Sequence, residues 1–305
     1  MRYKSLIASV FLFTSCSKKQ SDNKVQLCDN EDFQTYWCRD KAEISSYDLK
    51  QTLYGTVNDG EAVLVFETED FRKDKQVKLE SDAKEQSTKV LKLNFIKRFV
   101  TGIHDFSMYT SIFTPIQTNT FSSTLKVSNT NQDWSGQNFF QLNFRQNGYQ
   151  VLGKSYSEEE VEDDYHIDTS LLEDELWTRI RLVPSSQLPQ GKVLIIPCLN
   201  SLRQRRKKVA PEVADITLQP YKGDSTFKGK SLIEYKISYP ENQRDLRIIF
   251  EKDFPHQIVG WDEKYEVKGQ VITSRATLKA TIQIPYWQKN MPADTIYRKK
   301  IDLKY

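Results

Sequence analysis

Residues 271–284 place a small or apolar side chain at every second position, from Ile272 to Ile284, with Thr, Arg, Lys and Gln between them. Successive side chains of a β-strand point to opposite faces of its sheet. A period of two is therefore what a half-buried strand requires. The segment predicts one long strand with its apolar side chains on one face and solvent on the other.

The same alternation recurs in shorter runs, and Thr, Val, Ile, Tyr and Phe, which favour strands, are abundant. Turn-forming residues separate the runs at 58–60, 147–148 and 240–242. Asn147-Gly148 and residues 240–244 predict hairpins, which pair neighbouring strands antiparallel. The runs are Ala62/Leu64/Phe66, Leu91/Leu93/Phe95, Phe140/Leu142/Phe144, Ile233/Tyr235/Ile237/Tyr239 and Leu246/Ile248/Phe250.

One segment departs from this pattern. Ser170 and Glu173 form a candidate capping box, and Pro184 ends the helical spacing that follows. The apolar stripe of this helix must be covered, most simply by the concave face of the sheet. We therefore predict a mainly β fold: one large, curved antiparallel sheet, a half-barrel, with one packed helix near 170–183. The stripe consists of Leu172, Leu176, Ile180 and Val183.

The N-terminus has the order of a secretory signal: basic Arg2 and Lys4, an apolar run over residues 6–13, and small or hydroxylated residues before Cys16. The run is too short to span a bilayer. We interpret residues 1–15 as a bacterial lipoprotein signal peptide and Cys16 as the lipidated residue, which anchors the chain through acyl groups. An ordinary cleaved signal and a buried N-terminal strand are the alternatives.

The remaining chain divides into a tether and a body. Residues 16–32 are polar and suit a tether, and residues 33–305 are predicted to form a β-rich body. The body is either one unit or two halves, of about 33–200 and 212–305, separated by a basic loop near 203–211. The chain carries 44 basic and 41 acidic side chains, so no nucleic-acid partner is expected. We predict a cell-envelope protein on the outer membrane, facing the periplasm.

The cysteines left after lipidation suggest structural roles. Cys28 and Cys38 enclose a short loop and are a candidate disulfide in an oxidising compartment. Cys198 lies in an apolar run and is interpreted as a buried thiol. Since the sequence has no C-x-x-C pair, neither a zinc site nor a redox motif is expected.

Motifs for catalysis or metal binding are weak. His104, His166 and His256 are scattered, and neither G-x-S-x-G nor H-E-x-x-H occurs. A hydrolase that uses His256 with Asp253 is the least favoured hypothesis. The acidic run 158–164 is interpreted as a solvated loop rather than a calcium site. The basic run 203–208 could contact lipid phosphates or that acidic loop. We expect no catalytic residue, metal or cofactor.

Aromatic side chains near strand ends allow two interpretations. They fill the core of a large sheet, which is the usual case, or they line a cavity for an apolar ligand. The candidate ligand-lining residues are Tyr109, Phe113, Trp134, Trp261, Tyr286 and Trp287.

Two resemblances add to these predictions. Residues 47–55, 60–71 and 89–115 resemble an uncharacterised bacterial lipoprotein family often labelled "septum formation inhibitor Maf". The resemblance implies no activity, because the chain lacks the Ser-rich, double-Arg loop of Maf nucleotide pyrophosphatases. The order of helix 170–183, strand 192–199 and hairpin 231–250 is similar to half-barrel proteins of the lipoprotein-carrier type. That resemblance implies a curved sheet with an apolar cavity.

Two functions follow as hypotheses. The first is a membrane-anchored envelope lipoprotein that binds an apolar or lipid-like ligand without catalysis. The alternative is a scaffold or interaction lipoprotein, with a filled core and an envelope protein as its partner.

Overall fold

The computed structural model describes residues 30–81, 84–118, 123–158, 162–267 and 269–304, with the side chain of Val267 left out. The predicted signal peptide, Cys16 and Cys28 lie outside these residues. Within them, no helix is long and apolar enough to cross a membrane.

In the described part of the chain, fifteen strands form one sheet in the order β8-β7-β6-β5-β4-β3-β2-β1-β15-β14-β13-β12-β11-β10-β9. The neighbours are antiparallel except for β9 and β10. The predicted mainly β fold with a large curved sheet is confirmed. The strands are β1 Ala42–Leu53, β2 Thr56–Arg72, β3 Ser87–Thr101, β4 His104–Pro115, β5 Lys126–Asp133, β6 Gly136–Arg145, β7 Gly148–Ser155, β8 Glu162–Asp168, β9 Leu171–Leu172, β10 Gly191–Ile196, β11 Glu212–Pro220, β12 Leu232–Tyr239, β13 Arg244–Glu251, β14 Ile258–Val267 and β15 Gln270–Ile284.

The chain builds the sheet outward from β1 and then returns to it. Strands β1 to β8 follow one another across one side, and β15, the last strand, pairs antiparallel with β1. The proposed boundary at 203–211 lies between β10 and β11, which are hydrogen-bonded to each other. Four α-helices complete the described part: α1 Glu31–Trp37, α2 Glu173–Leu182, α3 Leu199–Gln204 and α4 Ile296–Lys300.

The long strand predicted over 271–284 is β15, but its apolar residues do not all share a face. The pairing with β1 shifts between Ser46 and Tyr47, so Lys279 is an extra residue of β15 with no residue opposite it on β1. Such a bulge reverses the side-chain alternation beyond it. Ala276 therefore belongs to the main core, whereas Ala280 and Ile282 pack in a second cluster with Ile44 and Ile301.

Two of the three predicted turns are confirmed. A two-residue turn of Gln146 and Asn147, both with positive φ, joins β6 to β7, and residues 240–243 join β12 to β13. The turn predicted at 58–60 is wrong, because those residues lie inside β2 and the turn is Tyr54-Gly55. Gly60 is needed for another reason: a Cβ there would lie 2.4 Å from the carbonyl oxygen of Arg98.

Helix α2 is the predicted helix, and its apolar stripe is buried as expected. Its predicted start is wrong. Leu172, at the end of β9, is the N-cap, and Glu175 rather than Glu173 reaches back, its carboxylate accepting from the Leu172 N–H at 3.2 Å. The backbone of β9 is held in extended form by its pairing with β10, which delays the helix by a few residues.

The sheet has two distinct ends. The turns β1–β2, β3–β4, β5–β6, β12–β13 and β14–β15 lie at one end, together with the loop after α3; we call this the hairpin end. Helix α1 lies at the other end, the entry end, where β1 begins and Tyr36 packs on Phe254. Helices α1, α2 and α3 cover one face of the sheet, the inner face, and their buried residues share its main core.

Candidate functional site

The C-terminal end of α2 is attached to the inner face by a buried ion pair. Arg181 donates from Nη1 and Nη2 to the two carboxylate oxygens of Glu43 on β1, both at 2.6 Å, and from Nε to the carbonyl of Pro255 at 2.8 Å. Its guanidinium also lies over the rings of Trp37 and Phe66. Burial alone would raise the pKa of Glu43, but the charge and hydrogen bonds of Arg181 bring it below its usual value.

The N-terminal end of α2 is attached by a second charged cluster. Arg244 on β13 donates to Glu173 at 2.5 and 2.6 Å and to Glu263 on β14 at 2.8 Å. Glu173 also accepts from the hydroxyl of Tyr239 at 2.6 Å. Although Glu263 is buried, the positive charge of Arg244 lowers its pKa to about 2. Charges at both ends of the helix therefore fix it on the sheet.

Asp174 completes the second cluster. Its carboxylate accepts from the Leu199 N–H at 3.0 Å, and burial raises its pKa to about 7 despite that hydrogen bond. Cys198 is a free thiol beside it and accepts from Arg244 at 3.5 Å. The cavity enclosed here, between Lys97, Trp177 and the cluster, has about 20 Å³, which is room for one water molecule rather than an acyl chain.

The six predicted ligand-lining aromatics lie in three places and do not line one common cavity. Trp261 is in the main core, with its ring about 5 Å from those of Phe95 and Trp177. Trp134 is exposed at the hairpin end and stacks on His104. The other four lie towards the outer face, around the Lys92–Glu67 ion pair: Tyr109, Phe113, Tyr286 and Trp287.

The remaining candidates are dispersed as well. Cys38 is exposed, and its proposed partner, Cys28, lies outside the described residues. His256 and Asp253 are joined through their backbones, N–H to carbonyl at 2.8 Å, and burial lowers the pKa of His256. In the ranges that the structure covers, no three His, Cys, Asp or Glu residues are grouped to hold a metal ion.

Several residues of the charged runs interact with their own surroundings. In the acidic run, Glu162 pairs with Lys154, and residues 159–161 lie outside the described part. In the basic run, Arg205 lies over the ring of Tyr265, Lys207 pairs with Glu212, and Lys208 lies over a ring of β8.

The largest described open space lies at the hairpin end, and a smaller one of about 370 Å³ lies near Cys38 and Trp287 at the entry end. A groove of about 880 Å³ lies between the β1–β2 turn, the loop after α3 and the β14–β15 hairpin. A neighbouring pocket of about 300 Å³ lies between the same turn, the β5–β6 turn and the residues after β7; we call it the amide pocket. Tyr54 borders both spaces and is 78% exposed, and Tyr156 borders the amide pocket and is 81% exposed.

Sequence reasoning missed this end of the molecule. Its lining comes from four turns and a short helix that are far apart in the chain, so no local motif marks it. The one local signal is the repeated Asn and Gln of residues 129–138, which is unusual within strands.

These features define a class: a mainly β protein whose single curved sheet is filled by helices and open at its hairpin end. No family model matches the sequence, and no curated protein matches it. Among solved structures, the chain is similar to a beta-barrel-like protein of the domain of unknown function DUF1849 from Brucella abortus. The identity is 9% and the TM-score 0.48, over 79% of this chain and 97% of that one.

Proposed function

We propose that this protein is a lipid-anchored, non-enzymatic binding protein of the bacterial envelope, which keeps a filled interior and receives its ligand or partner at the hairpin end. One observation carries the proposal: the inner face is occupied by α1, α2 and α3, while the largest described space, the groove of about 880 Å³, opens at the hairpin end.

Energetics support a permanently filled interior. Displacing α2 to admit a ligand would separate Arg181 and Arg244 from their carboxylate partners, and some of these charges would stay buried without a partner. Leaving one member of a buried pair without its partner costs about 3–5 kcal/mol. An apolar ligand would have to compensate two such losses before it gained any contact.

A carrier of an apolar or lipid-like ligand is the second candidate. The groove of about 880 Å³ favours it, because Leu53, Tyr54 and Ile272 supply apolar surface beside Arg205 and Lys207. Such a ligand would lie at the end of the sheet, with its polar group beside the basic residues.

The lipid anchor rests on the sequence of residues 1–16, and the fold is compatible with it. The chain enters the sheet at the entry end through α1, so a tether ahead of Asn30 would join the fold at the end opposite the hairpin end.

Native mass spectrometry decides between a filled interior and a carrier. The full chain, released from a gentle detergent in the gas phase, is expected to show its own mass and that of its covalent lipid. An additional non-covalent lipid that survives release would contradict the filled interior and favour the carrier.

A further inference from the structure

The amide pocket has a lining suited to one kind of ligand. Half of its lining residues are Ser, Asn or Gln, and they come from β4, β5, β6, the end of β7 and α3. Its charged lining residues are of both signs: Asp133, Arg203 and Arg206. A lining of this type offers many hydrogen bonds and no strong preference for either sign of charge.

A ladder of amides leads from the core into the pocket. The Asn129 amide donates to the hydroxyl of Thr110 and to the Asn200 side-chain oxygen, both at 2.9 Å. Asn131 in turn donates to the side-chain oxygen of Asn129 at 3.1 Å. The last of these bonds holds the amide nitrogen of Asn131 against Asn129.

Two acceptors at the end of this ladder have no partner. The Oδ1 atoms of Asn131 and Asn138 are buried, and within the described part of the chain neither accepts a hydrogen bond. The two residues are directly opposite each other on β5 and β6, and both line the pocket. An unpaired buried acceptor costs about 1–3 kcal/mol, so a bound group that donates hydrogen bonds to both, after a small outward rotation of the two amides, would be favoured.

Aromatic faces border the same space. Tyr54 and Tyr156 come from different turns and stand at the margin of the pocket with most of their surface exposed. Such rings offer flat apolar faces with a polar hydroxyl at one end. A ligand that fits must therefore combine hydroxyl donors at its edges with an apolar face.

We infer that the amide pocket binds a sugar ring of a neutral or weakly acidic glycan. Ring hydroxyls would donate to Asn131 and Asn138, and the C–H face of the ring would pack on Tyr54 or Tyr156. A volume of about 300 Å³ is at the small end of ligand pockets and suits a short segment of a glycan chain. This inference rests on the proposed function, since it identifies the ligand class taken at the hairpin end.

The test measures binding of defined sugars to the full chain in lauryldimethylamine oxide, a detergent without a sugar headgroup. Chitotriose, cellotriose and maltotriose are titrated by isothermal calorimetry, with N-acetylated tetra-alanine as a non-sugar probe. At least one trisaccharide is expected to bind. Asn138→Leu, which removes the amide at similar volume, and Tyr156→Ala should each weaken that binding by about fivefold or more.

Trp134→Ala is the matched control, because Trp134 is an exposed aromatic at the same end that lines a different cavity. It should leave trisaccharide binding unchanged. Sugar binding that survives both pocket variants, or no sugar binding at all, overturns the inference. Binding of the peptide alone would also overturn it, while leaving the proposed function of the hairpin end intact. Since Tyr156 is exposed, its variant tests the site even if Asn138→Leu fails to fold.

Discussion

Arg181 and Glu43 lie 138 positions apart in the chain and form a two-bond ion pair in which each residue is about 1% exposed. The pair joins the last turn of α2 to the first residues of β1. It therefore connects the helix to the strand on which the two halves of the sheet meet.

Replacing Arg181 with Met should destabilise the fold strongly, because Glu43 would remain buried with no positive partner. The expected loss in the free energy of unfolding is about 3–5 kcal/mol, measured by urea denaturation. Arg72→Met is the control, since Arg72 makes a similar two-bond pair with Asp74 at the surface and should change stability little. Equal losses of unfolding free energy in the two variants would contradict the structural importance of the buried Arg181–Glu43 pair.

Combining Arg181→Met with Glu43→Leu should recover part of that loss, because two apolar groups replace two buried charges. The measurement is the same denaturation series, read as a double-mutant cycle. A double variant no more stable than Arg181→Met alone would show that packing of the guanidinium on Trp37 and Phe66, rather than its charge, holds α2.

Asp174 should make the protein less stable as the pH rises from about 4 to 7. Burial raises its pKa from 3.8 to about 7, so the folded state holds a proton that the unfolded state has already released. The loss across this window is at most about 4 kcal/mol, and it is complete above the folded pKa. Asp174→Asn keeps an oxygen for the Leu199 N–H and should remove this part of the pH dependence. Unfolding curves at pH 5 and 7.5 test this; an unchanged difference between them would contradict it.

Gly60→Ala should destabilise the sheet by about 1–3 kcal/mol, because the added methyl group meets the Arg98 carbonyl and β3 must move. The control is Gly102→Ala, in an open turn with φ of 60° and no atom near the new Cβ, where only the backbone conformation is strained. Thermal unfolding compares the two. A larger effect at Gly102 would contradict the close approach of β2 and β3.

Labelled palmitate should enter the wild-type chain in cells and be absent from Cys16→Ser, because the predicted acceptor is the thiol of Cys16. Gel fluorography of membrane and soluble fractions measures both results. Label in the Cys16→Ser variant, or a wild type found only in the soluble fraction, would mean that the N-terminal signal has been misinterpreted.

Much of the fold follows from local pattern. Residues 271–284 predict a strand because the alternation is a local property, and the stripe from Leu172 to Val183 predicts α2 for the same reason. The bulge at Lys279 does not follow, since it depends on which residues of β1 are opposite. The burial of Arg244 could have been predicted from the sequence. It lies an even number of positions from Leu246, Ile248 and Phe250, so the alternation places it on the same inward face. Its partner Glu173 is 71 positions away, and only the folded chain brings the two together.

The hairpin end and the entry end are separated by the length of the strands between them. Strand β1, which leads from the entry end to Tyr54, has 12 residues, and at about 3.3 Å per residue it runs for roughly 40 Å. If a lipid on Cys16 anchors the chain, Tyr54 would lie at the end of the sheet opposite the point where the anchored segment joins the fold. Such a geometry lets a protein fixed to one surface of the envelope reach material that lies away from that surface.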